Sequence, residues 1–135
     1  MHKAYTFKIV TPNGTAYEAD NVSFSKLPGA MGEVGVIPSH SASLIQLTEG
    51  EWMVRTEDGE QWGFIKSGVA HVLPEEVLIL APFVEKSDDI DVARVKAAVD
   101  RAKARLIDKD PDVNKERARL ALLRSEIRLN VSEKV

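Results

Sequence analysis

The sequence predicts an all-β body followed by an antiparallel pair of helices, and two observations carry that prediction. Residue usage changes near Lys86: all 8 glycines, all 4 phenylalanines, both tryptophans and both tyrosines lie before it. The hydrophobic period changes at the same place, from two to a helical repeat. A chain of 135 residues suits one ordinary domain, or a small domain with an appendage, and therefore a modest core.

In the first part Tyr5, Phe7 and Ile9 alternate with Thr6, Lys8 and Val10, the pattern of a half-buried strand. Pro12-Asn13-Gly14 then turns the chain. Short apolar runs follow at Val22 to Leu27, Ser43 to Leu47, Trp52 to Thr56, Gln61 to Lys66, Val69 to Leu73 and Val77 to Ala81. Glu57-Asp58-Gly59-Glu60 is a hairpin signal because Asp-Gly supplies positive φ, and Pro74-Glu75-Glu76 marks a second turn. Many short strands at this spacing predict a sandwich or a barrel.

The second part uses mostly Ala, Leu, Val, Arg, Lys, Asp and Glu, which are largely good helix formers. Ser87-Asp88-Asp89 is expected to cap a helix that runs to about Ile107. Asp110 is the expected N-cap of a second helix, with Pro111 at its first position, ending near Asn130. So short a connection makes the helices antiparallel neighbours. Their expected apolar side uses Ala97, Ala98, Ala102, Leu106, Leu120, Leu123 and Ile127, a thin set that leaves the hairpin marginal alone.

Composition excludes several functions. With 44% hydrophobic and 29% charged residues the chain is typical of a soluble globular protein, and no apolar run is long enough to cross a bilayer. The first residues carry neither a secretion signal nor a transit pattern, so a cytoplasmic protein is expected. Zero cysteines remove disulfides, thiolate metal sites and cysteine nucleophiles. His2, His40 and His71 lie far apart, which argues against a metal site, and Ser39 beside His40 lacks an orienting acid. Pro28 to Gly35 is glycine-rich but has neither the P-loop ending nor the dinucleotide spacing, so bulges and tight turns are its reading. No set of residues makes a catalytic site.

The arginines carry the signal. The part before Lys86 holds 5 Lys and Arg against 11 Asp and Glu, whereas the rest holds 13 against 10. Arg94, Arg101 and Arg105 are spaced seven and four apart, and Arg117, Arg124 and Arg128 repeat that spacing. On helices of about 3.6 residues per turn each trio forms one narrow stripe. One reading is a solvated face, partly paired with Asp91, Asp108 or Glu116. The other is a conditional structure whose stripes repel until a polyanion or acidic surface joins them, guanidinium being well shaped for phosphate. A nucleic-acid module is a weaker alternative, since the chain is acidic overall at -3 and the basic tail has no aromatic residue for stacking. A small hydrolase fails for want of a nucleophile, base or metal set.

Two segments extend this reading. Leu27-Pro28-Gly29 with Gly32 through His40, and Ile90-Asp91-Val92-Ala93-Arg94 continuing through Arg101-Ala102 to Arg105-Leu106, resemble the epsilon-subunit family of the bacterial F-type rotary ATP synthase. The resemblance covers nearly the whole chain. It implies a ten-stranded β-sandwich over residues 1–86 that holds the gamma subunit and the membrane ring of proton-carrying subunits. It implies a regulatory helical hairpin over residues 87–135, folded down on the sandwich or extended toward the catalytic alpha and beta subunits, where it opposes ATP hydrolysis. By position it implies an ATP site of Glu85, Asp91, Arg94, Arg101, Arg124 and Arg128, with ATP a regulatory ligand rather than a substrate and magnesium left open. Val95 stands where the family motif usually has alanine, which implies weaker binding or a shifted hairpin equilibrium. The implied place is the cytoplasmic face of the bacterial cell membrane, reached only through the complex. The implied alternative is inhibition by contact of the basic hairpin with acidic catalytic-subunit loops, without ATP.

Overall fold

A computed structural model describes residues 4–134. Ten strands come first: β1 Tyr5–Thr11, β2 Gly14–Val22, β3 Phe24–Gly29, β4 Gly32–Val36, β5 Ser43–Leu47, β6 Gly50–Thr56, β7 Gly59–Ile65, β8 Gly68–Leu73, β9 Glu76–Leu80 and β10 Val84–Lys86. Two helices follow, α1 Val92–Ile107 and α2 Lys115–Ser132. The expected class, a ten-stranded β body with a two-helix hairpin, is the class observed.

The strands run β10-β7-β6-β3-β5-β8-β9-β1-β2, with β4 added to β3. β3 meets β5 through Gly29 and Leu47, and there the sheet folds over into two facing layers. Across the gap Trp52 of β6 stacks on Phe7 of β1 at 6.3 Å and tilts against Tyr17 of β2 at 5.2 Å. Aromatic packing of this kind supplies a large share of the buried area of a small core. β1 pairs antiparallel with β2 and parallel with β9.

Alternation in β1 holds: Tyr5, Phe7 and Ile9 are buried. The Tyr5 hydroxyl donates to the Val36 carbonyl at 2.9 Å and shares a hydrogen bond with Ser25 Oγ at 2.7 Å, tying β1 to β3 and β4. Burial pushes its pKa up to about 12, with the Ser25 hydrogen bond acting the other way. The folded state therefore holds this proton more tightly than the unfolded state. That contribution is complete below the ordinary tyrosine pKa of about 10 and is lost as pH rises toward the folded value. Urea unfolding is expected to show a stability decline from pH 10 upward that is smaller in Tyr5→Phe. Equal slopes in the two proteins would rule out this origin.

The glycine-rich stretch is the β3–β4 hairpin, with Gly29 opposite Gly32, and Gly32 has the positive φ of 128° that a side chain resists. His40 lies in a loop, His71 is exposed on β8, and His2 lies outside the described residues. Glu75 and Glu76 are exposed at the β8–β9 turn.

The helix caps differ from expectation. Ser87–Asp89 forms a separate 3-10 turn, and Asp91 caps α1 by accepting the Arg94 backbone N–H at 3.1 Å. Asp110 accepts the Asp112 N–H at 2.9 Å and holds the loop, while Asn114 caps α2 by accepting the Arg117 N–H at 3.0 Å. Pro111 is thus in the loop rather than in the helix. The strand boundaries also move: the run expected from Val22 to Leu27 is β3 at Phe24–Gly29, preceded by β2.

The inner face of the hairpin keeps only part of the expected set: Ala102 is buried and Ile127 packs on a buried cluster. Val95, Val99, Ala102, Ala118 and Ser125 are buried, whereas Ala97 is exposed and Leu120 and Leu123 are 45% and 51% exposed. Small residues at the helix contact let the backbones approach closely, so the seam follows Ala and Ser and leaves Leu120 and Leu123 outside. A second apolar cluster of Phe64, Ile90, Val95 and Val131 joins hairpin to sandwich, with Ile127 and Leu129 packed on it.

Candidate functional site

The candidate site is the seam where α2 lies on the sandwich. Three basic side chains of the hairpin reach three glutamates there. Arg128 grips Glu85 of β10 with two parallel bonds, Nε to Oε1 at 2.8 Å and Nη2 to Oε2 at 2.9 Å. Arg124 Nε lies 3.2 Å from each oxygen of Glu49, in the β5–β6 turn. Lys134 donates to Glu51 Oε2 of β6 at 2.8 Å, and its ammonium stands 4.1 Å from the Trp62 ring centroid.

The first pair is the strongest by geometry and burial. Its side chains are 24% and 15% exposed, and the Arg128 guanidinium also lies 5.9 Å from the Phe64 ring centroid. A fork-shaped, partly desolvated pair over an aromatic face binds well beyond a solvated surface pair. Glycine at position 63 of β7 completes the support: it pairs with Lys86 and lies against Trp52, so β10 can approach and present Glu85.

Of the six residues singled out above, Glu85, Arg124 and Arg128 gather at this seam, and Asp91, Arg94 and Arg101 do not join them by a direct hydrogen bond or ion pair among the described residues. The Asp91 carboxylate is engaged as a helix cap, and the Arg94 and Arg101 side chains are exposed. Among the described residues no stripe arginine forms a side-chain ion pair with Asp91, Asp108 or Glu116. Glu116 pairs with Arg119, whose hydrogen bond and charge hold that carboxyl below its usual range, and the Asp108 carboxylate accepts the Asp110 N–H. Lys115 ties off the end of α1 by donating to the Arg105, Leu106 and Asp108 carbonyls.

Sequence reading missed Glu49, Glu51 and Lys134, because partners 75 and 83 residues apart leave no local pattern. It also treated Val95 as a motif departure, whereas Val95 is 1% exposed and belongs to the cluster between hairpin and sandwich. Its burial against Phe64 was signalled only by the helical spacing to Val99 and Ala102.

The family model described as "ATP synthase, Delta/Epsilon chain, beta-sandwich domain" matches residues 4–87, and the "long alpha-helix domain" of the same chain matches residues 88–133. The chain belongs to the ATP synthase delta/epsilon family. Among relatives of this delta/epsilon chain, the "ATP synthase epsilon chain" of Syntrophobacter fumaroxidans is 39% identical over 134 residues, covering 99% of each chain. The chain of that name from Lawsonia intracellularis is 36% identical with 98% of each covered, and that from Staphylococcus haemolyticus is 36% identical with 93% of each covered. The fold also matches a chain in the Euglena gracilis mitochondrial ATP synthase (OSCP/F1/c-ring), with TM-score 0.70 and 22% identity over 98% of this chain and 79% of that one. A chain of the Tetrahymena thermophila mitochondrial ATP synthase central stalk and c-ring matches with TM-score 0.55 and 14% identity, covering 99% of this chain and 98% of that one.

Proposed function

We propose that this chain is a non-catalytic central-stalk subunit of a proton-translocating ATP synthase, in which the sandwich seats rotor parts and the hairpin is a mobile brake on ATP hydrolysis. The observation that supports the reading is the seam itself: α2 is fastened to the sandwich by three ion pairs and a small apolar cluster, contacts few enough to part. The sandwich has a surface to offer the gamma subunit. Leu44 at 73%, Val69 at 40% and Leu80 at 55% remain exposed on one outer face of β5, β8 and β9, an apolar patch suited to a protein partner. The exposed β3–β4 turn, with Met31 fully in solvent, is offered to the membrane ring. Among the described residues no helix is long and apolar enough to cross a membrane, and the proposed attachment at the cytoplasmic face runs through the complex.

ATP acts in this reading by favouring the closed hairpin, which requires differential affinity for that state. A ligand of the closed state alone, at 100 times its dissociation constant, contributes about 2.7 kcal/mol, enough to reset a marginal docking equilibrium. Isothermal titration calorimetry is expected to show weaker ATP binding by Arg94→Ala and by Arg124→Ala, with the sandwich still folded. Unchanged affinity in both variants would remove the nucleotide site. A second reading, inhibition through acidic loops of the catalytic subunits without ATP, is favoured by the way Arg124 and Arg128 already take carboxylates as partners. Its signature is full inhibition by a chain that binds no ATP.

A further inference from the structure

Beyond the ion pairs of the seam, the same face of the sheet carries a row of charged side chains that leads to the exposed β3–β4 turn. Lys26, Met53 and Trp62 are direct partners across β3, β6 and β7, so their side chains share one face. Glu51 and Phe64 also belong to that face, and α2 lies on it. Glu33 extends the row onto β4, two residues from Gly35, the partner of Lys26.

Trp62 stands in this row with two ammonium groups at its ring. Lys134 Nζ is 4.1 Å from the ring centroid, and Lys26 Nζ is 5.0 Å from it. Each ammonium also has a carboxylate: Lys134 donates to Glu51 at 2.8 Å, whereas Lys26 meets Glu33 only at 3.8 Å. The indole N–H donates to Glu60, which is itself taken by Arg55. An aromatic face attracts either cation, but two cations at one ring repel each other. Lys26 is thus shared between two weak attachments, the ring and Glu33. Glu33 is the open end of the row: its side chain is 60% exposed, and it lies two residues from Met31, which is fully in solvent. Whatever engages Glu33 therefore alters how firmly Lys26 is held away from the indole.

We propose that Lys26 and Lys134 compete for Trp62, so that a cationic surface taking Glu33 at the β3–β4 turn sends Lys26 to the indole and loosens the end of α2. The linkage rests on the mobile hairpin proposed above and makes the turn a regulator of its docking. By reciprocity an opened hairpin leaves Trp62 to Lys26 and frees Glu33 for the partner. The test is amide hydrogen exchange of the full chain, read in the last two turns of α2, with β8 and β9 as the check that the sandwich is intact. Glu33→Gln stands in for a Glu33 that a partner has taken, and it is expected to speed α2 exchange about threefold, the scale of one exposed cation–π contact. Lys26→Gln is expected to slow α2 exchange by about as much. Adding Glu33→Gln to Lys26→Gln is expected to change nothing further, because the competitor is gone. Glu18→Gln, which removes an exposed carboxylate on β2 away from the row, is expected to leave α2 as in wild type. If Glu33→Gln acts equally with and without Lys26, or in neither background, while Arg128→Ala still opens α2, the linkage is overturned and the mobile hairpin stands. Exchange in α2 as slow as in the sandwich for every variant, Arg128→Ala included, overturns both.

Discussion

Gly63→Ala is expected to destabilise the sandwich by about 3 kcal/mol, at the upper end of the range for overpacking a close-packed interior. A Cβ at this position would fall inside contact distance of two indole carbons of Trp52 and of the Glu85 carbonyl oxygen. Neither neighbour can retreat. Trp52 is fully buried and held by Phe7 and Tyr17, and the Glu85 carbonyl belongs to the strand pairing of β10 with β7. Against a typical total of about 5 to 15 kcal/mol for a domain, such a loss is large. The measurement is the urea midpoint followed by tryptophan emission, and a midpoint unchanged from wild type would contradict the packing described. The same substitution is expected to loosen hairpin docking, because it displaces the strand that carries Glu85.

Arg128→Ala is expected to release the hairpin while leaving the sandwich intact. It removes a forked pair that is only 24% and 15% exposed and leaves Glu85 without its cation in a partly desolvated place. A fully buried pair broken on one side costs about 3 to 5 kcal/mol, and a partly exposed one is screened, so about 2 kcal/mol of docking is the expected loss. Glu85→Gln should act in the same direction, and the double variant should cost less than the sum of the singles because one interaction is counted twice. Amide hydrogen exchange separates the two outcomes. Protection is expected to fall along α2 and to persist in β1, β8 and β9. Unchanged protection in α2 would show that the apolar cluster of Phe64, Ile90, Val95 and Val131 holds the hairpin without the ion pair.

Strong periodicity made most of this architecture legible. β1 and the Asp58-Gly59 hairpin follow directly from alternation and turn chemistry, as does the existence of two helices ending near the observed positions. β2 was hidden because only Val22 of its residues is buried, so it reads as polar. β4 was hidden by its glycines, and β10 by its three-residue length. In the hairpin, leucine and alanine competed for the seam, and the smaller residues won because close helix approach favoured them. The site was legible by halves. The arginine stripes announced themselves through spacing, but Glu49 and Glu85, the partners of Arg124 and Arg128, belong to the sandwich, and only the tertiary fold brings them near.

The parallel pairing of β1 with β9 bears on how the molecule comes into being. Thr6 to Val10 align with Glu76 to Leu80, so the first strand must wait for one of the last before its free edge is covered. Contacts of such long separation carry the loop-closure cost before they return any stabilisation, and they slow folding. During synthesis the β1–β2 ribbon would stand with one edge open until β9 leaves the ribosome. β10, which carries Glu85, follows within a few residues, and the hairpin emerges last. Closure of the sandwich therefore precedes assembly of the seam, and the hairpin docks on a body already complete.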